Sequence, residues 1–455
     1  MSVENRLNQK ITVPWEMTEP PVDPKQSNGS YQWPKNTVLK NDTDENTIGW
    51  PEGTISILHQ AFDAKLSRFD KWQFSNDYPN FSALKMASKV FKRGVYCESQ
   101  EVKTYKGQYD ITVTNNTPRF QGAMVVVDQA VLDAWPQSFE DSTVLAVEAL
   151  ESRKNLQQLG EISRFLRTEG NISQTICIVG GGITADLAAF ACALQNRSFI
   201  LVPTTLLAMA DACVGGKTGI NFMPYGKNQL GLFAFPTEVV VARPWLSTLS
   251  QEHQRAGWWE CIKHALLDKS LWEKLGSLEF RIPRKKQLLA IIETKVRVVK
   301  VDPTEIGARA SLNLGHTLAH ALEKLAQENA TEKLTHGEAV GFGIIFSLIV
   351  SKNAGSMSEA VFEHLIAKLE SPAQSLDRQN ILSALDCKTD QIKNSFSEVE
   401  EGMLGDKKNR SGAIHFVLLS DIGQVVISHE GRYTTTVSHE TLKSSWFEFC
   451  DYLFK

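Results

Sequence analysis

Three short apolar runs, at residues 123–127, 175–179 and 199–202, constrain the fold more than any other feature of the chain. None alternates polar with apolar residues, so each reads as a strand buried on both faces. Helical periodicity fills the gaps, at 156–166 and 186–194. Short buried strands alternating with helices require a parallel sheet with helices on its faces. Residues 109–114 do alternate and read as a further strand. From 251 onward helices take over, at 257–268, 285–300, 308–325 and 337–352, with one β-like stretch at 413–419. The expected architecture is an α/β, Rossmann-like domain over 96–250 and a mostly helical domain over 251–455, with ligand bound in the cleft between them.

Residues 1–95 stand apart. Pro14, Pro20, Pro21, Pro24, Pro34 and Pro51 sit among Asn, Asp, Thr and Gly in the first 53 positions. Such a stretch breaks regular structure and buries little. It reads as a partly disordered arm whose Trp15, Trp33 and Trp50 dock on a surface. In the next stretch Ile55, Leu58, Phe62 and Leu66 recur at helical spacing.

The charge balance narrows the partners. Positive side chains number 48 and negative ones 52, a net charge of -4. That argues against a general nucleic-acid binder and leaves room for a local basic pocket. The longest apolar stretch, 339–350, is shorter than the roughly 20 residues a membrane span takes, and reads as a buried helix. No apolar signal core follows the first residues. The seven cysteines are an odd number and form no Cys-x-x-Cys pair. Free thiols in a reducing cytoplasm are expected, not a disulfide or zinc–cysteine scaffold.

Four segments carry candidate chemistry. At Gly180, Gly181 and Gly182 a buried strand runs into a helix. Glycines let a phosphate approach the backbone, and a helix N-terminus offers N–H groups to it. A plain tight turn is the equal alternative. Lys217 and Lys227 lie on glycine-hinged loops that suit an anion, or are two solvated lysines. Glu260, Lys263 and His264 share one helix face, as an ordinary surface ion pair would. Arg309, Asn313, His316 and His320, spaced 4, 3 and 4, are expected along one stripe of a single helix. A core stripe would be leucines and a solvated one Lys and Glu, so this stripe reads as functional. His336 opens another apolar helix, where the N-terminal dipole is expected to keep it neutral, as metal ligation requires. Glu260, His316 and His336 make a candidate Zn²⁺ site, with His316 and His320 as an alternative pair of ligands. The basic cluster at 406–410 reads first as a solvated loop.

Taken in order, these segments resemble the 3-dehydroquinate synthase family of sugar phosphate cyclases, over about residues 120–420. The resemblance rests on Gly-Gly-Gly-x-x-x-Asp ending at Asp186, Pro-Thr-Thr-Leu-Leu from Pro203, and Asp-x-x-Val-Gly-Gly-Lys-Thr from Asp211. It continues through Gly-Lys-Asn at Asn228, Glu-x-Ile-Lys at Lys263, Leu-Asn-x-Gly-His-Thr-x-x-His-Ala at His320 and His-Gly-Glu-Ala from His336. It implies a dehydroquinate synthase-like fold, an NAD-binding first domain, a divalent metal (Zn²⁺ or Co²⁺) and a homodimer. It implies metal ligation by Glu260, His316 and His336. Glu151, Lys154, Gly181, Gly182, Asp186, Thr204, Thr205, Lys227 and Thr248 map to the nucleotide site, which Asp211 and Lys217 also border. Asp211, Lys217, Asn228, Lys263, Lys295, Arg309, Asn313 and His320 map to the substrate pocket, with one of Lys407 and Lys408.

The implied substrate is 3-deoxy-arabino-heptulosonate 7-phosphate. Transient oxidation at C5 acidifies the C6 proton, phosphate leaves, the hydride returns, and ring opening and an aldol step close the carbocycle. The chain departs from the family at Ala130, Ala185 and Ala319, and in a short loop where Arg197 is the candidate for a phosphate-binding arginine. The nearest rival is a cyclase of sedoheptulose 7-phosphate or glucose 6-phosphate. A polyol dehydrogenase of the same fold and a non-catalytic relative are the others.

Overall fold

The computed structural model describes residues 98–104, 107–169, 174–223, 226–303, 305, 307–331, 333–405 and 413–454. The expectations for residues 1–95, and for Lys407 and Lys408, lie outside the described residues.

The apolar runs form the expected sheet. Its strands are β1 (Glu98–Thr104), β2 (Gly107–Thr114), β3 (Met124–Asp128), β4 (Thr143–Val147), β5 (Ile176–Gly180) and β6 (Phe199–Pro203), joined after the β7–β8 hairpin (Lys217–Ile220, Leu230–Phe233) by β9 (Glu238–Ala242). The order across the sheet is β1-β2-β9-β6-β5-β3-β4. Only β1 runs antiparallel to its neighbour; the pairings of β2 with β9, β9 with β6, β6 with β5, β5 with β3 and β3 with β4 are parallel. The side chains of β3 from Met124 to Val127 and all of β5 and β6 are buried, as unalternated strands in a parallel sheet must be.

Helices interleaved with the strands are α1 (Gln129–Ala134), α2 (Leu156–Thr168) and α3 (Gly182–Leu194). Leu159, Ile162 and Leu166 recur every third or fourth residue on α2 and form its buried face. The crossover from β3 to β4 holds the six-residue α1 and a single 3₁₀ turn, Pro136–Ser138. Asp128 caps it by accepting from the Ala130 N–H at 3.1 Å. The chain leaves β3 toward β4 on one side and reaches β6 on the other through β5. The crevice beyond the carboxyl ends of β3 and β5 is therefore the switch point where such sheets bind ligands.

The helical half contains α4 (Gln251–Leu267), α5 (Lys269–Leu275), α6 (Lys285–Val301), α7 (His316–Glu328), α8 (His336–Asn353), α9 (Glu359–Ala373), α10 (Arg378–Ala384), α11 (Phe396–Leu404) and α12 (His439–Leu453). Short strand pairs occupy part of 415–436 where one β-like stretch was expected. The helix α8 is apolar all round and buried from Gly337 to Ser351, packed among α4, α7, α9 and α12. Thr335 and Glu338 form a capping box at its start.

The expected single helix over 308–325 is two pieces. A 3₁₀ segment, Ala308–Asn313, ends at an extended Leu314; Gly315 then turns with φ 81°, and α7 begins at His316. The positive φ needs glycine, and periodicity counted through that glycine misses the break. Among the described residues no helix is long and apolar enough to cross a membrane. The described cysteines are free, and all but the half-buried Cys387 are buried.

Candidate metal centre and anion pocket

Glycines on α8 bring three ligand-bearing elements together. A Cβ on Gly337 would stand 2.1 Å from the Ala256 carbonyl oxygen of α4, and one on Gly343 would stand 1.9 Å from the Gly315 carbonyl oxygen. Their absence lets α4, carrying Glu260, and the Gly315 turn, leading into His316, press against the helix that begins with His336. Glu260 Oε1 lies 3.7 Å from His316 Nε2 and 3.5 Å from His336 Nε2. The three ligand atoms fall within 4.8 Å of one another.

The outer faces of both rings are committed. His316 Nδ1 faces the Leu314 carbonyl at 3.2 Å, and His336 Nδ1 faces Glu323 Oε2 at 3.2 Å. Both partners only accept, so Nδ1 carries the proton and Nε2 is turned to Glu260. One buried carboxylate and two imidazoles aimed at a common point fit a divalent cation of the zinc type, with a position left for a ligand. The structure brings these three together. His320 stacks edge-on to His316, with ring centroids 5.4 Å apart, and is not a member of the cluster.

Burial works against charge on Glu260, but Lys263 at 2.5 Å and the two histidines hold its carboxyl well below the usual range. Burial pushes His316 down, and Lys263 adds to this. His336 corrects the expectation of a neutral imidazole at a helix start. Burial lowers it, but Glu323 and Glu260 outweigh burial and raise it to about 10.

Behind this cluster lies a buried charge network. The pair Glu260–Lys263 is 1% exposed on either side, so the surface-pair reading of this segment is replaced by a core one. Asp211, at the end of a π-helical turn, holds Lys263 at 3.4 Å, His264 at 3.3 Å and Lys295 at 2.9 Å, and its backbone carbonyl accepts from Lys295 at 2.5 Å. Burial opposes the Asp211 charge, but Lys263, Lys295 and His264 carry its carboxyl well below the usual range. Arg309 is buried, donating to the carbonyls of Pro303 at 2.7 Å and Gly215 at 3.0 Å with its guanidinium over the Phe233 ring. Gly215, at φ 109°, leaves room for it: a Cβ there would sit 2.3 Å from Nη2. Nearer the rim, Glu305 pairs with Lys217 and accepts from Asn313 Nδ2 at 3.1 Å.

The crevice side is tied together by Lys154. Its ammonium donates to Asp186 on α3 at 2.5 Å and to Asn228 at 2.6 Å. Asn221 donates to Glu151 at 2.8 Å, accepts from the Asn228 N–H at 2.8 Å and donates its own N–H to the Lys154 carbonyl at 2.7 Å. Gly181 caps α3 without a side chain, and a Cβ on it would press Thr205 at 3.1 Å. Gly182 opens the helix beside it, and the Thr204 N–H donates to Gly180. Thr248 accepts from the Trp135 indole at 2.9 Å. Lys227 reaches Glu323 at 3.3 Å.

Arg197 is not brought to these groups. It is buried, donating to the carbonyls of Leu166 at 2.6 Å and Gln174 at 3.1 Å, where it ties α2 to the approach to β5. Sequence reasoning missed Glu305, Asn221 and Glu323. Glu323 follows His316 by seven residues and His320 by three, the spacing of one helix face, and was detectable on that ground. Glu305 and Asn221 sit in loops that carry no such periodicity.

A doubly covered parallel sheet with a glycine-lined crevice, joined to a helical half holding a carboxylate–imidazole cluster among buried cations, defines an enzyme of the dehydroquinate synthase-like fold. Residues 144–256 match the N-terminal region of 3-dehydroquinate synthases and residues 257–409 the C-terminal region. The chain belongs to the 3-dehydroquinate synthase family. It is 40% identical over 294 residues to the 3-dehydroquinate synthase of Bacillus pumilus, which spans 62% of this chain and 76% of that relative. It is 36% identical over 310 residues to that of Rippkaea orientalis, 66% of this chain and 79% of the relative. Its fold is shared with a 2-deoxy-scyllo-inosose synthase solved with carbaglucose-6-phosphate, NAD⁺ and Co²⁺ (TM-score 0.63, 20% identity, 77% of this chain and 99% of that one). A 2-epi-5-epi-valiolone synthase from Streptomyces hygroscopicus, solved with NAD⁺ and Zn²⁺, is similar to the same degree (TM-score 0.63, 21% identity, 76% and 97%).

Proposed function

We propose that this enzyme converts 3-deoxy-arabino-heptulosonate 7-phosphate to 3-dehydroquinate and phosphate. The observation that carries the reading is the Glu260–His316–His336 cluster bordered by the buried cations Lys263, Lys295 and Arg309, in a chain of this family. Bound NAD supplies a reversible hydride acceptor and a bound divalent metal, Zn²⁺ or Co²⁺, a Lewis acid. Glu260, His316 and His336 hold the metal. Gly181, Gly182, Thr204 and Thr205 line the nucleotide crevice, bounded by Glu151, Lys154, Asp186, Lys227 and Thr248.

The cations divide by depth. Lys263, Lys295 and Arg309 are buried and suit the substrate carboxylate and hydroxyls, which stay bound throughout. Lys217 is 37% exposed and shares Glu305 with Asn313 at the rim, where a leaving phosphate must depart. Asp211 fixes Lys263 and Lys295 and favours their charged forms, outweighing burial at Lys263 while burial still lowers Lys295, and the fixed ammonium groups are preorganised for the oxyanions that form. Asn228 and His320 complete the pocket. In the elimination an oxygen of the substrate's own phosphate accepts the C6 proton as the C7–O bond breaks and the C6–C7 double bond forms, so no side chain need serve as a strong base. The reading includes a homodimer in the cytoplasm, where the free thiols of the described residues would persist.

The test is phosphate release by purified protein given NAD⁺, Zn²⁺ or Co²⁺ and 3-deoxy-arabino-heptulosonate 7-phosphate, with the product identified by mass and NMR. Dehydroquinate is expected, and none from His316→Ala. Phosphate released only from sedoheptulose 7-phosphate would instead favour the cyclases of secondary metabolism.

A further inference from the structure

The structure assigns Glu323 a role as the positioning residue that couples the metal cluster to the nucleotide crevice. The inference rests on the reading above, in which His336 holds the metal and Lys227 borders NAD. Glu323 is largely buried on α7 and splits its two oxygens between these sites. Oε2 faces His336 Nδ1 at 3.2 Å and Oε1 faces Lys227 Nζ at 3.3 Å. Lys227 leads directly into Asn228, which is bonded to Lys154, and Lys154 to Asp186 on the crevice helix α3. Two series of polar contacts, joined by the Lys227–Asn228 peptide bond, thus run from one site to the other.

The direction of the effect follows from the chemistry of the two ends. A metal on His336 Nε2 takes the place of any proton there and fixes the position and plane of the ring, which holds Nδ1–H on Glu323 Oε2. Glu323 is then pinned, and its second oxygen fixes Lys227. An ammonium has three donors, so Lys227 can pair with Glu323 and still meet an anionic cofactor. Metal therefore preorganises the lysine and tightens NAD⁺. By linkage, NAD⁺ must tighten the metal by the same factor.

Another route joins the two regions through Glu260, Lys263 and Asp211, so the experiment must separate them. Titration calorimetry on the full chain would measure NAD⁺ affinity with chelator and with Zn²⁺, and Zn²⁺ affinity with and without NAD⁺. The wild type is expected to show coupling of about tenfold in both directions. Glu323→Gln can still accept from His336 but offers no charge to Lys227, and Lys227→Met removes the other end while leaving His336 untouched. Both should bind Zn²⁺ alone, fold as judged by circular dichroism, and reduce the coupling below about twofold. Equal NAD⁺ affinity with and without Zn²⁺ in the wild type overturns the proposal. So does full coupling in both variants, which would give the effect to Asp211. A wild type that binds neither NAD⁺ nor Zn²⁺ refutes the functional reading itself, and the coupling with it.

Discussion

Replacing Gly343 by alanine tests whether glycine contacts on α8 build the metal site. The added Cβ would stand 1.9 Å from the Gly315 carbonyl oxygen, where contacts under 3.0 Å are essentially never found. The obstacle is backbone, so no rotamer change relieves it, and the helix and the turn must separate by more than about 1 Å. Overpacking of this kind costs at least the upper end of about 1–3 kcal/mol. Better helix propensity returns about 1 kcal/mol, leaving a net loss of about 2 kcal/mol. His316 follows Gly315 directly, so the same shift carries its Nε2 away from Glu260 and His336. Metal sites tolerate displacements of only about 0.2 Å, and Zn²⁺ affinity should fall by about 10- to 100-fold. Thermal unfolding of the chelated protein and Zn²⁺ titration would read the two effects separately. Gly160→Ala is the control: it lies in α2 with nothing within 4 Å of its would-be Cβ, and should gain up to about 1 kcal/mol. A Gly343→Ala protein with wild-type melting and wild-type Zn²⁺ affinity would refute this account of how the three ligands meet.

Two further outcomes follow from buried polar groups. Burial raises the Tyr109 phenol to about 12, against a weaker lowering from the Gly215 N–H. The native protein then keeps a proton that the unfolded chain loses near pH 10, so stability falls from pH 10 to about 12, by up to about 1.4 kcal/mol per unit. Denaturant melts across this range should show that slope and lose it in Tyr109→Phe; an unchanged slope in the variant would assign it elsewhere. Arg197→Met should cost about 2–4 kcal/mol through two lost charge-assisted bonds to carbonyls, with KM for the sugar phosphate unchanged. A raised KM with unaltered melting would return Arg197 to substrate binding.

Much of this was legible in the sequence because the physics is local. The strands at 123–127, 175–179 and 199–202 are marked by unbroken apolar runs, and their burial follows from composition alone. Glu260, His316 and His336 stand out because polar groups interrupt apolar helices there. What escaped depends on contacts between distant segments. The charge of His336 is governed by Glu323 and Glu260 across space, and not by the helix end it opens. The break at Gly315 is invisible to periodicity because the flanking residues keep helical spacing through it. Arg197 looked like a ligand-facing cation, whereas the carbonyls that claim it belong to another helix and to a loop before β5.

The burial of α8 carries a consequence for the timing of assembly. Synthesis supplies Glu260 first, then His316, then His336, yet the helix that begins with His336 has no solvent-compatible face from Gly337 to Ser351. Part of that surface is covered by α12, which follows all three donors in the chain. A chain still being translated past its third ligand would hold all three donors with an uncovered apolar rod between them. The native packing of α8, and with it the juxtaposition of the three donors, therefore waits on a helix synthesised after all of them.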